Sequence, residues 1–348
     1  MPTNLLLNSV RMKYPKFKVA VRCFTFNQAK FITDAMDGFC MQNTSFPYVC
    51  IIVDDASTDG EQAVIQKYIN TNFLIANPLT AYTIETEYAE ISYAQHKKNS
   101  NCFFVVLFLK KNHYSQRKAK MPYLSEWRKG VEYDAICEGD DYWIDKNKLQ
   151  KQVDFLDFNS DYSMCFSSAK IKFDYGFEKN DLTEMKSLYS NLESREYSGY
   201  EVLKEWLVPT CSMVFRSNVK RVEDSRFMFG DIILILSCAE NGRLRCFSEK
   251  MVVYRRNLNG LSAKSQPLGK TVIHYLAIAE NFGGKYAKIC NNLISRNIAS
   301  SILTGSSDNR KKALFLIFSS TNMMLRVIKS ITGICFSVLM KRLGLKNK

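Results

Sequence analysis

Hydrophobic positions along the chain fall into two alternating patterns. Unbroken apolar runs at Lys18–Phe26, Tyr48–Val53, Cys102–Leu109 and Tyr133–Cys137 have the length of strands. They lack the polar alternation of a sheet with one wet face, so each predicts a strand buried on both sides. Between them apolar residues recur at helical spacing: Phe31, Ile32, Ala35, Met36 and Phe39; Val64, Ile65 and Tyr68; and, within Lys146–Phe158, Leu149, Val153, Leu156 and Phe158. Strand and helix alternating in this order predict an α/β domain around a parallel sheet. Thr58, with Glu61 three positions on, predicts a capping box for the second helix. Residues 71–100 read as a polar, variable connection and 172–198 as a charged, irregular insertion. Ser163–Ile171, Cys211–Arg216 and Leu244–Tyr254 predict further strands. Gly199–Leu207 predicts a short helix, and Phe229-Gly230-Asp231 opens an apolar one over Ile232–Ala239.

Length and composition narrow the class. With 348 residues, 46% of them hydrophobic and 13% aromatic, the chain is globular. The pattern divides it into a catalytic-sized domain over 17–265 and a C-terminal helical extension over 266–348. A net charge of +14 predicts an anionic partner: nucleotide phosphates, acidic lipid headgroups or nucleic acid. Eleven cysteines without a C-x-x-C pair predict reduced core thiols in a cytoplasmic protein. Three histidines, His96, His113 and His274, have no metal spacing, which argues against a zinc site or a Ser-His-Asp triad. No signal peptide is expected at the start, and no run reaches the ~18 apolar residues of a membrane span. From Arg310 to Lys348 there are nine basic residues and no acidic one, among apolar blocks. This tail predicts an interfacial anchor on an anionic cytoplasmic membrane face, with a packed helix or a dimer contact as the alternatives.

Candidate chemistry collects where the strands stop. The fourth run ends in Glu138-Gly139-Asp140-Asp141, three carboxylates in four positions. Such crowding needs a cation or a proton to offset the repulsion, and hard divalent ions such as Mg²⁺ or Mn²⁺ prefer oxygen ligands. A solvated turn accounts for the same residues equally well. The second run ends in Asp54, Asp55, Ser57 and Asp59, which can take hydrogen bonds from a base or a ribose, or simply serve the turn and helix cap. Lysines after the third run, at 110, 111, 118 and 120, and the pair Arg255 and Arg256 supply positive charge. Asp231 sits at a helix start, where the dipole stabilises an acid.

Three stretches together resemble a family-2 glycosyltransferase of GT-A fold: Thr25-Phe26-Asn27, Val53-Asp-Asp-Ala-Ser-Thr-Asp59 and Glu138-Gly-Asp-Asp-Tyr-Trp143. Their order and spacing match over roughly Phe17 to Ser262. Glu138 to Trp143 followed by Lys148 to Gln152 is similar to bacterial surface-polysaccharide enzymes. The resemblance implies a nucleotide pocket lined by Thr25, Asn27, Asp54, Asp55 and Ser57. It implies a Mn²⁺ or Mg²⁺ site at Asp140 with Glu138 and Asp141, and Asp231 as general base. Arg255 and Arg256 would help hold the diphosphate. A UDP-sugar donor, a glycan or lipid-linked acceptor, an inverting transfer and no role for nucleic acid follow from it. Glu138 stands where the family has Asp, and Asn257 where it commonly has His. A nucleotidyltransferase would also use acidic strand ends and Mg²⁺, but would need a glycine-rich loop after the first strand, and Thr25 to Lys30 has none. A non-catalytic binding protein of the same fold is the third reading, against which stand intact acids at Asp55, Asp140 and Asp231.

Overall fold

A computed structural model of the chain describes residues 14–173, 188–256, 266–318 and 326–332. The described residues form two compact units. One lies within Met1–Tyr197, Leu207–Val219 and Asn241–Leu258, the other within Ser198–Trp206, Lys220–Glu240 and Asn259–Lys348. The division therefore does not fall at residue 265. Two helical stretches inside the expected catalytic domain, one of them carrying Asp231, group with the C-terminal helices.

The first unit is built on one sheet. Its centre is four parallel strands in the order β5, β2, β1, β6: β1 (Val19–Thr25), β2 (Tyr48–Asp54), β5 (Cys102–Leu109) and β6 (Tyr133–Ile136). The apolar runs are two-sided because successive side chains serve two cores. Cys50, Ile52, Phe104 and Val106 point into a cluster under α1 (Ile32–Cys40), α2 (Glu61–Asn72) and α3 (Lys148–Phe158). Val49, Ile51, Val105 and Leu107 point the other way, against Leu124, Trp127 and Val131.

Antiparallel pairings flank this parallel centre on both sides, and further out β8 and β11 run parallel to each other. Residues 71–100 fold into a hairpin, β3 (Ala81–Glu85) and β4 (Ala89–Gln95), that adds antiparallel to β5. This corrects the expected variable connection: Ala89, Ile91 and Tyr93 alternate only weakly with polar residues, and Glu85, Glu87 and Glu90 obscure the pattern. Beyond β6, β10 (Val214–Arg216) runs antiparallel between β6 and β8 (Tyr162–Phe173). Beside β8 lies β11 (Arg243–Arg256), flanked by the short β7 (Tyr142–Trp143) and β9 (Glu196–Tyr197). The ten cysteines among the described residues are all buried and free.

In the second unit, α4 (Gly199–Glu205), α5 (Gly230–Asn241), α6 (Leu268–Asn281), α7 (Gly284–Thr304) and α8 (Ser307–Phe318) surround a small core. Ser198 and Glu201 form a capping box at the start of α4. His274 on α6 is buried against Phe229, and burial pushes its imidazole down to about 4, so it is neutral. Among the described residues no helix is long and apolar enough to cross a membrane.

Candidate active site at the carboxyl ends of the parallel strands

Register places the acidic stations side by side. Thr25 pairs with Asp54 and Asp54 with Phe108, while β6 stops beside Arg22, with the Cys137 N–H donating to the Arg22 carbonyl at 3.1 Å. Acids from two parallel strands therefore share one sheet edge, the edge where open α/β sheets take ligands.

The loops after β1 and β2 are fastened to each other by Glu61. Its carboxylate is fully buried and takes the Thr25 hydroxyl, the Gln28 N–H at 2.9 Å and the Ser57 hydroxyl at 2.9 Å. Burial pushes its carboxyl up, with the Asp54 charge adding to the effect. The expected capping box is thus not formed. Gly60, at φ +90°, is the N-cap of α2, and Glu61 turns inward because the end of the first strand offers it two donors, Thr25 and Gln28, and the second loop a third, Ser57. Asn27, itself at φ +54°, accepts the Thr58 N–H at 2.8 Å and donates its own to the Ser57 hydroxyl at 2.9 Å. Asp59 receives the Ala29 N–H at 2.9 Å.

The two adjacent aspartates do different work. Asp55 is fully buried, and its carboxylate accepts the N–H of His113 at 2.7 Å, that of Tyr114 at 3.0 Å and the Lys120 ammonium at 2.8 Å. Burial alone would push the carboxyl up, but Lys120 and the two N–H groups outweigh it and hold it below the usual value. Asp55 therefore orders the basic loop after β5. Asp54 uses one oxygen, which takes the Ser57 N–H at 3.1 Å and the Gln62 amide at 2.6 Å. Its other oxygen, Oδ2, is buried and has no hydrogen-bond partner. Phe26 and Tyr114, one on each flanking loop, leave their rings largely in solvent, 44% and 64% exposed.

The third acidic stretch packs against the first loop. A Cβ on Gly139 would lie 2.4 Å from Thr25 Oγ1 and 2.5 Å from Gln28 Oε1, so only glycine lets the turn approach so closely. Glu138 and Asp140 are partly exposed, whereas Asp141 is buried and accepts the Arg255 N–H at 2.7 Å. Burial, then the charges of Asp140 and Glu138, push the Asp141 carboxyl well above the usual range. Arg255 is also occupied. One guanidinium nitrogen donates to the Asp140 carbonyl at 2.8 Å and another to Asp34 at 2.6 Å, between the rings of Phe31 and Tyr142. Below the turn, Trp143 donates to the Cys211 carbonyl at 2.8 Å. The fully buried Lys148 donates to Gln152 at 2.7 Å, and Gln152 to the Ser212 carbonyl at 2.9 Å. Burial pushes the Lys148 amine down to about 8.

Asp231, in the first turn of α5, belongs to the second unit. It accepts the N–H of Ile232 at 2.8 Å, and burial pushes its carboxyl up against that hydrogen bond. Arg256 is half-buried at the end of β11, and Asn257 lies outside the described residues. Sequence reasoning missed the inward role of Glu61 and missed Asp34 altogether. It gave Lys120 no particular weight and passed over Phe26, an aromatic immediately after a buried strand.

Residues 23–79 match the model of Glycosyl transferase family 2, a span that holds both of the first two loops. Over that span the chain is similar to family-2 glycosyltransferases. An uncharacterised protein of Mycobacterium tuberculosis is 27% identical to this chain over 244 residues, which is 70% of this chain and 60% of that one. The chain thus spans under two thirds of the length of that relative. Among solved structures, S. aureus TarS 1–349 in complex with UDP-GlcNAc has a TM-score of 0.55 and 14% identity, over 95% of this chain and 93% of that chain. The same protein with UDP gives 0.52 at 13% identity. At this identity the likeness is one of fold, and the fold is GT-A.

Proposed function

We propose that this protein is a glycosyltransferase that moves a sugar from a nucleoside diphosphate donor, UDP-linked, to a hydroxyl of a glycan or lipid-linked acceptor with inversion, in building a cell-surface polysaccharide. The observation that carries the reading is the unpartnered Oδ2 of Asp54, buried at the strand edge. A buried acceptor with no donor is costly unless a ligand supplies one, and a base N–H does so. The exposed rings of Phe26 and Tyr114 support the same reading by offering faces for a base to stack on.

The acidic turn suits a divalent ion. Among the described residues no three acid, histidine or cysteine side chains form a ready metal cage. Mg²⁺ and Mn²⁺ in nucleotide sites do not need one, since one or two carboxylates are joined by phosphate oxygens and water. Asp140 and Glu138 have the right oxygen donors, and the pressure they exert on Asp141 reflects crowded negative charge. Asp141, turned into the protein, supports the turn. A bound ion would neutralise the departing diphosphate. Asp231 would accept the proton of the acceptor hydroxyl as its oxygen bonds to the anomeric carbon and the bond to the diphosphate breaks. The runner-up, nucleotidyl transfer, gains nothing from the structure: the turn after β1 is closed by side chains, with no glycine-lined cradle. Attachment to an anionic inner membrane face belongs to the same proposal, supported by exposed Arg310, Lys311 and Lys312 around exposed Leu314 and Phe315 on α8.

Calorimetry with UDP, GDP and ADP, followed by release of nucleoside diphosphate from a panel of nucleotide sugars with Mn²⁺, tests the reading. Asp54→Asn should weaken binding of the preferred nucleotide ~10- to 100-fold, the worth of one charge-assisted hydrogen bond. Unchanged binding in that variant, or release from no donor, refutes it.

A further inference from the structure

Arg255 reads from sequence as a hand for the donor diphosphate, yet the structure uses it elsewhere. The side chain is 3% exposed and its guanidinium is stacked 4.4 Å from the centre of Phe31 and 5.1 Å from that of Tyr142. Three contacts tie it to the acidic turn and to α1. Its backbone N–H is held by Asp141, one nitrogen holds the carbonyl of Asp140, and another holds Asp34. Asp34 and Arg255 are 221 positions apart, and Asp34 keeps its side chain 46% exposed while its partner is buried.

We infer that Arg255 and Asp34 form a clamp that positions the Asp140 carboxylate toward a divalent cation, making Arg255 a positioning residue and not a donor ligand. The argument is geometric. A carbonyl is gripped from one side by a planar fork whose other branch is anchored on a separate helix. The backbone of Asp140 is therefore fixed, and its side chain is partly exposed. Lysine has the charge but no fork, so it can keep either partner and not both. Groups behind the ligand, orienting it, are where metal affinity is set. The inference rests on the proposed cation site at Asp140, and its test separates the two.

Mn²⁺ binding is measured by calorimetry or electron paramagnetic resonance in the presence of UDP, and UDP binding is measured separately without metal. Arg255→Lys should raise the Mn²⁺ dissociation constant ~10- to 100-fold, as loss of an orienting partner does elsewhere. Asp34→Ala, at the exposed end, should fold normally and raise it about 2- to 5-fold. Both should leave metal-free UDP binding unchanged. Loss of UDP binding without metal in Arg255→Lys makes Arg255 a donor ligand and overturns the clamp. Unaltered Mn²⁺ affinity in both variants, alongside lost affinity in Asp140→Asn, overturns the clamp alone. Unaltered affinity in Asp140→Asn overturns both the clamp and the cation site.

Discussion

Replacing Asp55 by asparagine tests whether this residue builds the site or touches the donor. The carboxylate receives three donors and is fully buried. Asparagine keeps one acceptor oxygen and sets an NH₂ against either the His113 N–H or the Tyr114 N–H and Lys120 ammonium together. Breaking a buried ion pair costs ~3–5 kcal/mol. Lys120 retains 18% exposure and can turn to water, so about 2–4 kcal/mol is expected, confined to the loop that follows β5. Amide hydrogen exchange reads this directly, since the N–H groups of His113 and Tyr114 should lose protection while those of β1 and β2 keep theirs. The pH dependence follows with a definite sign. The folded carboxyl lies below its unfolded value of ~3.9, so its stabilisation is present above that pH and is lost as pH falls through the folded value. The variant should lack this acid-side loss. Undiminished protection at His113 and Tyr114 would refute the reasoning. Weakened nucleotide binding with an intact loop would return Asp55 to the donor pocket.

Two further outcomes are expected. Because burial raises the Asp231 carboxyl, the acid limb of the kcat/KM profile should lie above the ordinary carboxylate range of ~4, and Asp231→Asn should lose turnover while still binding UDP; a profile flat to pH 4 excludes Asp231 as the base. Lys311→Gln and Lys312→Gln combined should weaken co-sedimentation with phosphatidylserine vesicles, each cation contributing ~1 kcal/mol, and leave binding to phosphatidylcholine vesicles unchanged; equal loss on both lipids, or none, dismisses the membrane reading.

Much of the fold was legible because an unbroken apolar run of strand length, bounded by polar chain, has little use in a soluble domain except to cross the core. Cys102–Leu109 is such a run, and the strand occupies it end to end. The hairpin at 81–95 was not legible, since Glu85, Glu87 and Glu90 interrupt its apolar face. The acidic stations were readable as residue types at strand ends. Their division of labour was not. Nothing in the order Asp54-Asp55 tells which carboxylate will meet Lys120, because that depends on a loop far along the chain, after β5. Likewise Thr58 and Glu61 have capping-box spacing, and local sequence cannot reveal that Thr25 and Gln28 compete for the glutamate. Arg255 reads from sequence as positive charge near the acids, and its partner Asp34 carries no sequence signal at all.

That pairing also bears on how the protein comes to be assembled. β11 must complete the far side of the sheet beside β8 before its last arginines can reach α1, and the two partners are separated by 221 positions. Closing so long a segment of chain is entropically slow, and such contacts form late. The first loops, Thr25 to Glu61, can assemble from neighbouring sequence alone. On that ordering, the loops proposed to meet the base would be shaped before the turn proposed to hold a cation is clamped.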